Sequence, residues 1–327
     1  MNARMLIVLL SGLLCASAFA QQPPWRAPRT ADGHPDLQGM WTSATITPLE
    51  RPNEYGDRRA LTQEEAARLE HAEASLVSTS ARPTDLKQQL PGDCKDFGRG
   101  CGYNNFWLDR GSQVVTIDGE KRTSLLIDPP DGKIPPLTAE RQKSMAARPR
   151  GNFDGPEARP LGERCLLAFG SSSGPPMLPV LYNNHYQIVQ SEDSVMILVE
   201  MVHDARVVRL GGTHVASNVR KWMGDSIGRW EGETLVVETT NFTDHESFRG
   251  ATRDARVIER FTRVAPDKIH YRFTVEDPNA FTRSFTGELP FYRTDEPIYE
   301  YACHEGNYAL RGILAGAREQ EKATAGR

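Results

Sequence analysis

The sequence predicts a mainly β fold, an antiparallel meander closed as a barrel or folded as a sandwich, and three observations predict it. Strand-like runs recur at regular spacing from residue 178 onward without helical pattern between them: 186–189, 195–202, 206–210, 234–239, 256–264, 268–276, 281–289 and 298–302. Turn-forming pairs separate them, among them Glu192-Asp193, His203-Asp204, Gly211-Gly212, Gly232-Glu233, Pro266-Asp267 and Asp277-Pro278. Within 268–276, Ile269, Tyr271, Phe273 and Val275 alternate with Lys268, His270, Arg272 and Thr274, so one face of that strand is core and the other meets water.

Taken in chain order, Arg4 precedes an apolar run, 5–14, which Ala18, Phe19 and Ala20 close. The pattern reads as a secretory signal peptide, 1–20, cut before Gln21. Its apolar run is too short to be kept as a membrane span, and Leu14 precedes Cys15 where a lipobox needs a small residue. The mature protein is therefore expected in the periplasm or outside the cell, with no transmembrane segment.

An N-terminal region, 21–159, follows. Its first part, 21–60, is rich in Pro, Arg, Asp and Gly and reads as an extended arm with one strand at 37–42. Thr62 caps a helix over 64–76, with Glu65 as its capping-box partner. A polar linker at 78–91 leads to short strands at 106–108, 113–118 and 123–127. A second, short helix is expected at 138–147. The antiparallel β domain then occupies 160–315, and 316–327 is expected to be a frayed tail.

Composition narrows the function classes. Charged residues are 25% and the aliphatic and aromatic set 39%, which fits a globular chain. The net charge of −4 comes from interspersed signs, without a basic stripe to follow a phosphate backbone, so no nucleic-acid partner is expected.

Cys94, Cys101, Cys165 and Cys303 remain after signal removal, an even number in an oxidising compartment, and read as two disulfides. Three pairings are possible. Cys94 with Cys101 and Cys165 with Cys303 is favoured, because the first two share one Gly-rich loop. By loop entropy the short bridge contributes about 2.5 kcal/mol and the long one about 5. The cysteine spacing suits neither a zinc site nor covalent haem, so no metal and no cofactor are expected.

Three polar or aromatic clusters are candidates for chemistry. In 299–308, Cys303 is followed by His304 and Glu305; imidazole titrates near neutrality and a carboxylate can orient it, which suits a general acid/base pair. The same stretch supplies Tyr299 and Tyr301 as aromatic ligand contacts. In 222–232, Trp222 and Trp230 flank a Gly-punctuated turn and are candidates to line a cavity mouth, with Asp225 and Arg229 holding a polar group. The third cluster is Glu200, His203, Asp204 and His214, to which His185 can be added. Strand alternation separates His203 from Glu200 and Asp204, so these residues converge only if the turn between strands twists them.

The motifs Pro35-Asp36-Leu37-Gln38-Gly39-Met40-Trp41, the run 228–237 beginning Gly228-Arg229-Trp230-Glu231-Gly232, and Tyr301-Ala302-Cys303-His304-Glu305-Gly306-Asn307-Tyr308 resemble a large family of exported bacterial proteins. The likeness covers nearly all of the mature chain and implies a periplasmic or secreted location, but carries over no residue role. More loosely, the Gly and Trp start of a meander resembles calycin barrels, which hold small apolar ligands. The sequence thus leads to two expectations. One is a binding protein for a small apolar or aromatic molecule, using Trp222, Trp230, Tyr299 and Tyr301. The other is a cofactor-free lyase, isomerase or hydrolase using His304, Glu305, Asp225 and Arg229.

Overall fold

The computed structural model describes residues 25–80, 108–147, 153–168, 173–243 and 248–325. The expected signal peptide, the Cys94–Cys101 bridge and nearly all of the 106–108 strand lie outside these residues.

In chain order the elements are β1 (Gly39–Thr42), α1 (Gln63–Ser80), β2 (Thr116–Ile117), β3 (Glu120–Lys121), β4 (Leu126–Asp128) and α2 (Ala139–Ala146). After them come β5 (His185–Gln190), β6 (Ser194–Val199), β7 (Ala205–Leu210), β8 (Asp225–Glu231), β9 (Thr234–Thr240), β10 (Arg256–Ala265), β11 (Lys268–Glu276), β12 (Phe285–Arg293) and α3 (Tyr308–Ala325). Strands β5 to β12 follow one another around a sheet that β1 closes by pairing with both β5 and β12. The result is a 9-strand barrel rather than a sandwich, with β4 added alongside β12. The sheet therefore draws β1 and β4 from the N-terminal region.

One pairing departs from the meander. β7 and β8 run parallel, with Val208 opposite Ser226 and Leu210 opposite Gly228, because 211–224 carries the chain back before β8 starts. β8 itself occupies the stretch that glycine punctuation marks as a turn. Gly228 lies inside a strand because β7 comes too close for a side chain: an added Cβ would stand 2.8 Å from Val208 Cγ1.

Three other expectations are corrected. Residues 298–302 form no strand; the Tyr299 and Tyr301 amides donate to the side chains of Glu200 and His203 instead of to a neighbouring strand. β12 covers 285–293 rather than 281–289, with Phe281 making an isolated bridge to Leu137. The supposed frayed tail is helical to Ala325: its good helix formers are supported by ion pairs of Arg318 with Glu321 and Lys322 with Glu319, and Arg318 donates to the carbonyl of Phe153 at 2.7 Å.

Both expected helices of the N-terminal region form. At α1 the Thr62 amide donates to Glu65 Oε2 (2.8 Å) and the Glu65 amide to Thr62 Oγ1 (3.2 Å), a complete capping box. At α2 the Thr138 hydroxyl accepts from the Arg141 amide. No helix among the described residues is long and apolar enough to cross a membrane.

The barrel is filled, not hollow. Tyr186, Phe261, Tyr271, Phe273 and Phe291 point inward, with ring centroids of Tyr271 and Phe291 4.8 Å apart and of Phe261 and Tyr271 5.0 Å apart. Such pairs contribute about 0.5–1.5 kcal/mol each beyond the area they bury. Among them Arg206 forms a two-pronged ion pair with Glu259, and Tyr271 donates its hydroxyl to Glu259 Oε1 at 2.8 Å. A molecule bound by this fold must therefore lie at an end of the barrel.

Candidate ligand-binding cleft

Such a space opens where β10 begins and β11 ends. Val257 and Val275 line it together with the segments 45–49, 174–182 and 248–255, which border an open cleft of about 1350 Å3. Its walls are mainly apolar: Leu125, Leu178, Met201, Trp222, Phe242 and Phe248 contribute most of the bulk. Drug-sized sites are usually about 300–1,000 Å3 and similarly apolar.

The 174–182 wall is held by the barrel core. Prolines restrict its backbone, the Met177 amide donates to the Tyr271 hydroxyl at 2.8 Å, and the buried Asn184 side chain accepts from the Val180 amide (2.7 Å) while donating to the Asp109 carbonyl (2.6 Å). The 248–251 wall is a tight turn with Arg249 at φ 53° and Gly250 at φ 97°. Buried Arg141 fastens it from α2, donating to the carbonyls of Gly250 (2.7 Å) and Ala251 (3.0 Å).

Charge in the cleft is sparse. Its charged lining residues are Glu73, Arg110 and Arg249, and the first two form an ion pair at 3.1 Å. Arg249 is exposed and has no partner among the described residues.

The aromatic residues singled out in the sequence divide. Trp222 lines the cleft and is 38% exposed. Tyr301 stacks on Tyr182, a wall residue, with centroids 6.5 Å apart. Tyr299 is 64% exposed and lines no part of the cleft. Trp230 sits toward the far end of β8, half-buried and stacked on His34 at 5.1 Å, and does not line this cleft.

The four polar candidates are held apart: no hydrogen bond or ion pair joins any two of them. Asp225 is 1% exposed and accepts from Lys221 (2.8 Å), Arg209 (2.7 Å) and the Val215 amide (3.1 Å), with His214 at 3.1 Å. Burial pushes its carboxyl up, but these partners outweigh burial and hold it down at about 2. It is a saturated anchor for the β7–β8 crossover. Arg229 points to solvent and pairs with Glu231 at 2.7 Å. His304 and Glu305 occupy an exposed turn after Cys303, without side-chain partners among the described residues. Cys303 is bridged to Cys165, as the favoured pairing expects.

A buried His/Glu pair lies elsewhere. β6 ends at Val199, and Glu200 takes a helical backbone (φ −62°, ψ −41°) that removes it from strand alternation; its side chain lies 2.9 Å from His185, and the chain then turns through left-handed Val202 (φ 61°) and His203 (φ 53°). His203 faces the other way and accepts from the Tyr301 amide. The Glu200 hydrogen bond raises the His185 pKa despite burial, while Glu200, pushed up by burial, is lowered overall by His185 and the Tyr299 amide. His185 also borders a smaller cavity of about 260 Å3 shared with Asp109 and Glu296. The sequence places both residues in one candidate cluster, but spacing alone does not pair them, because the helical backbone at Glu200 and the non-glycine left-handed turn after it leave no compositional signal. Among the described residues no three His, Cys, Asp or Glu side chains group as metal ligands would.

Comparison with protein-family models gave no match, and comparison with curated proteins gave none either.

Proposed function

We propose that the protein is an exported binding protein for a small, largely apolar molecule, held in the cleft at the Val257–Val275 end of the barrel. The observation that carries this reading is a space of about 1350 Å3 with apolar and aromatic walls, set on a barrel whose interior is filled. The signal-peptide pattern at 1–20 and the resemblance to exported bacterial proteins support the location.

The test uses the full chain exported into an oxidising periplasm, with a neutral naphthylamine dye as probe. Saturable dye binding, weakened by Trp222→Ala, is expected. No saturable binding by a folded protein would overturn the reading.

Cofactor-free acid–base catalysis is a second reading, and what favours it is the buried His185–Glu200 pair beside the smaller cavity. A substrate screen in which His185→Gln and the parent turn over equally would remove it.

A further inference from the structure

We infer that the ligand of the cleft is an amphiphile with a single carboxylate, and that Arg249 receives that carboxylate; this rests on the binding reading above. Three observations lead to it.

The first is charge balance within the lining. Glu73 and Arg110 neutralise each other, which leaves Arg249 as the one uncompensated charge among the described lining residues. An apolar space with one positive group at its edge matches a molecule with an apolar body and one negative group.

The second is how Arg249 is mounted. Its backbone is left-handed, a conformation that strains any residue with a Cβ, and such strain persists only where surrounding structure enforces it. Here the enforcement comes from Arg141, which grips the carbonyls of the next two residues, and from Asp277, which accepts from the Thr252 amide. The turn is fixed, and so is the point from which the guanidinium extends.

The third is the chemistry of the group. Guanidinium offers parallel N–H donors that match the two oxygens of a carboxylate, and it remains charged at any relevant pH. Phe248, the residue before it, lines the same cleft, so the apolar body and the charged head meet adjacent residues of one turn.

The experiment measures displacement of the neutral naphthylamine dye by dodecanoate, dodecanol and dodecyl phosphate, using the full chain and its Arg249→Gln and Arg249→Lys variants. The parent protein is expected to bind dodecanoate about ten- to a hundredfold more tightly than dodecanol, the range expected for a hydrogen-bonded charge. Arg249→Gln should abolish that preference, bringing dodecanoate to the affinity dodecanol has in the same variant, and Arg249→Lys should retain part of it. Equal displacement by dodecanoate and dodecanol in the parent, or a preference that survives Arg249→Gln, would overturn the inference while the binding reading stands. Tighter binding of dodecyl phosphate than of dodecanoate would overturn the choice of carboxylate. Absence of dye binding in the parent would remove the underlying reading itself.

Discussion

Nδ1 of His185 lies 2.9 Å from Oε2 of Glu200, and the other oxygen of Glu200 accepts the Tyr299 amide at 3.2 Å. One buried hydrogen-bonded pair thus fastens the segment that follows β12 against the rim of β5 and β6. Further along, the Tyr301 amide meets His203 and Cys303 is bridged to Cys165, so 294–303 is a strap tied at several points.

The strap's attachment should depend on pH in a defined direction. His185 has a raised folded-state pKa, so its contribution is complete below its unfolded value near 6.5 and is lost as pH rises through the raised value. Glu200 has a lowered one, so its contribution is complete above 4.5 and is lost as pH falls through the lowered value. The Tm difference between the parent and His185→Gln should therefore peak between 4.5 and 6.5 and narrow on both sides. Thermal melts across pH 3–10 would check this; a gap that widens toward alkaline pH would contradict it.

Gly228→Ala should destabilise the barrel by about 1–3 kcal/mol, the usual effect of forcing extra volume into a packed site. The new methyl would meet Val208 Cγ1 at 2.8 Å and Leu210 Cδ2 at 3.1 Å, and the backbone there cannot move without disturbing the parallel β7–β8 pairing. Gly232→Ala is a useful contrast: an added Cβ there meets nothing within 4 Å, so only the turn conformation is affected. Urea denaturation of both variants measures the difference.

Those two glycines also explain how far the sequence could be read. Alternation in 268–276 located β11 because its pattern is local, and Thr62 with Glu65 located the start of α1 for the same reason. Gly228 and Gly232 have the same local signature, yet one permits close packing and the other forms a turn, and only the neighbouring strand distinguishes them. The site was less legible than the fold. Trp222 was visible as an exposed-looking aromatic beside a turn, but the cleft gathers walls from 45–49, 174–182 and 248–255, segments that share no pattern. Arg249 had no signal at all, because its role depends on which other charges around it are already paired.

Breaking the Cys165–Cys303 bridge should lower stability by about 2–5 kcal/mol, in the range for native disulfides that close long loops. The link spans 138 positions and joins the strap to the segment before the 174–182 wall. A Cys165→Ser, Cys303→Ser double variant should therefore show earlier proteolysis within 294–307 than in the barrel strands. Cleavage mapped by mass spectrometry would check the order, and simultaneous loss of both regions would contradict it.

The pair inside the barrel makes the sharpest contrast between breaking a charge network and replacing it. Arg206 and Glu259 are both buried, and the pair is completed by the Tyr271 hydroxyl on Glu259 and Met177 Sδ near Arg206 Nη2 at 3.0 Å. Removing charge from one side alone, as in Glu259→Gln, leaves a buried guanidinium uncompensated and should cost about 3–5 kcal/mol. Replacing both, as in Arg206→Met with Glu259→Leu, avoids the stranded charge and should cost much less, because desolvation offsets most of what a buried ion pair gains. Tyr271→Phe keeps the ring packing but takes the acceptor from the Met177 amide and a donor from buried Glu259, so the 174–182 wall should loosen and dye binding weaken alongside a fall in global stability. Urea denaturation and dye titration on the same samples separate the two effects. Equal losses in Glu259→Gln and the double replacement would show that the charges contribute through packing alone.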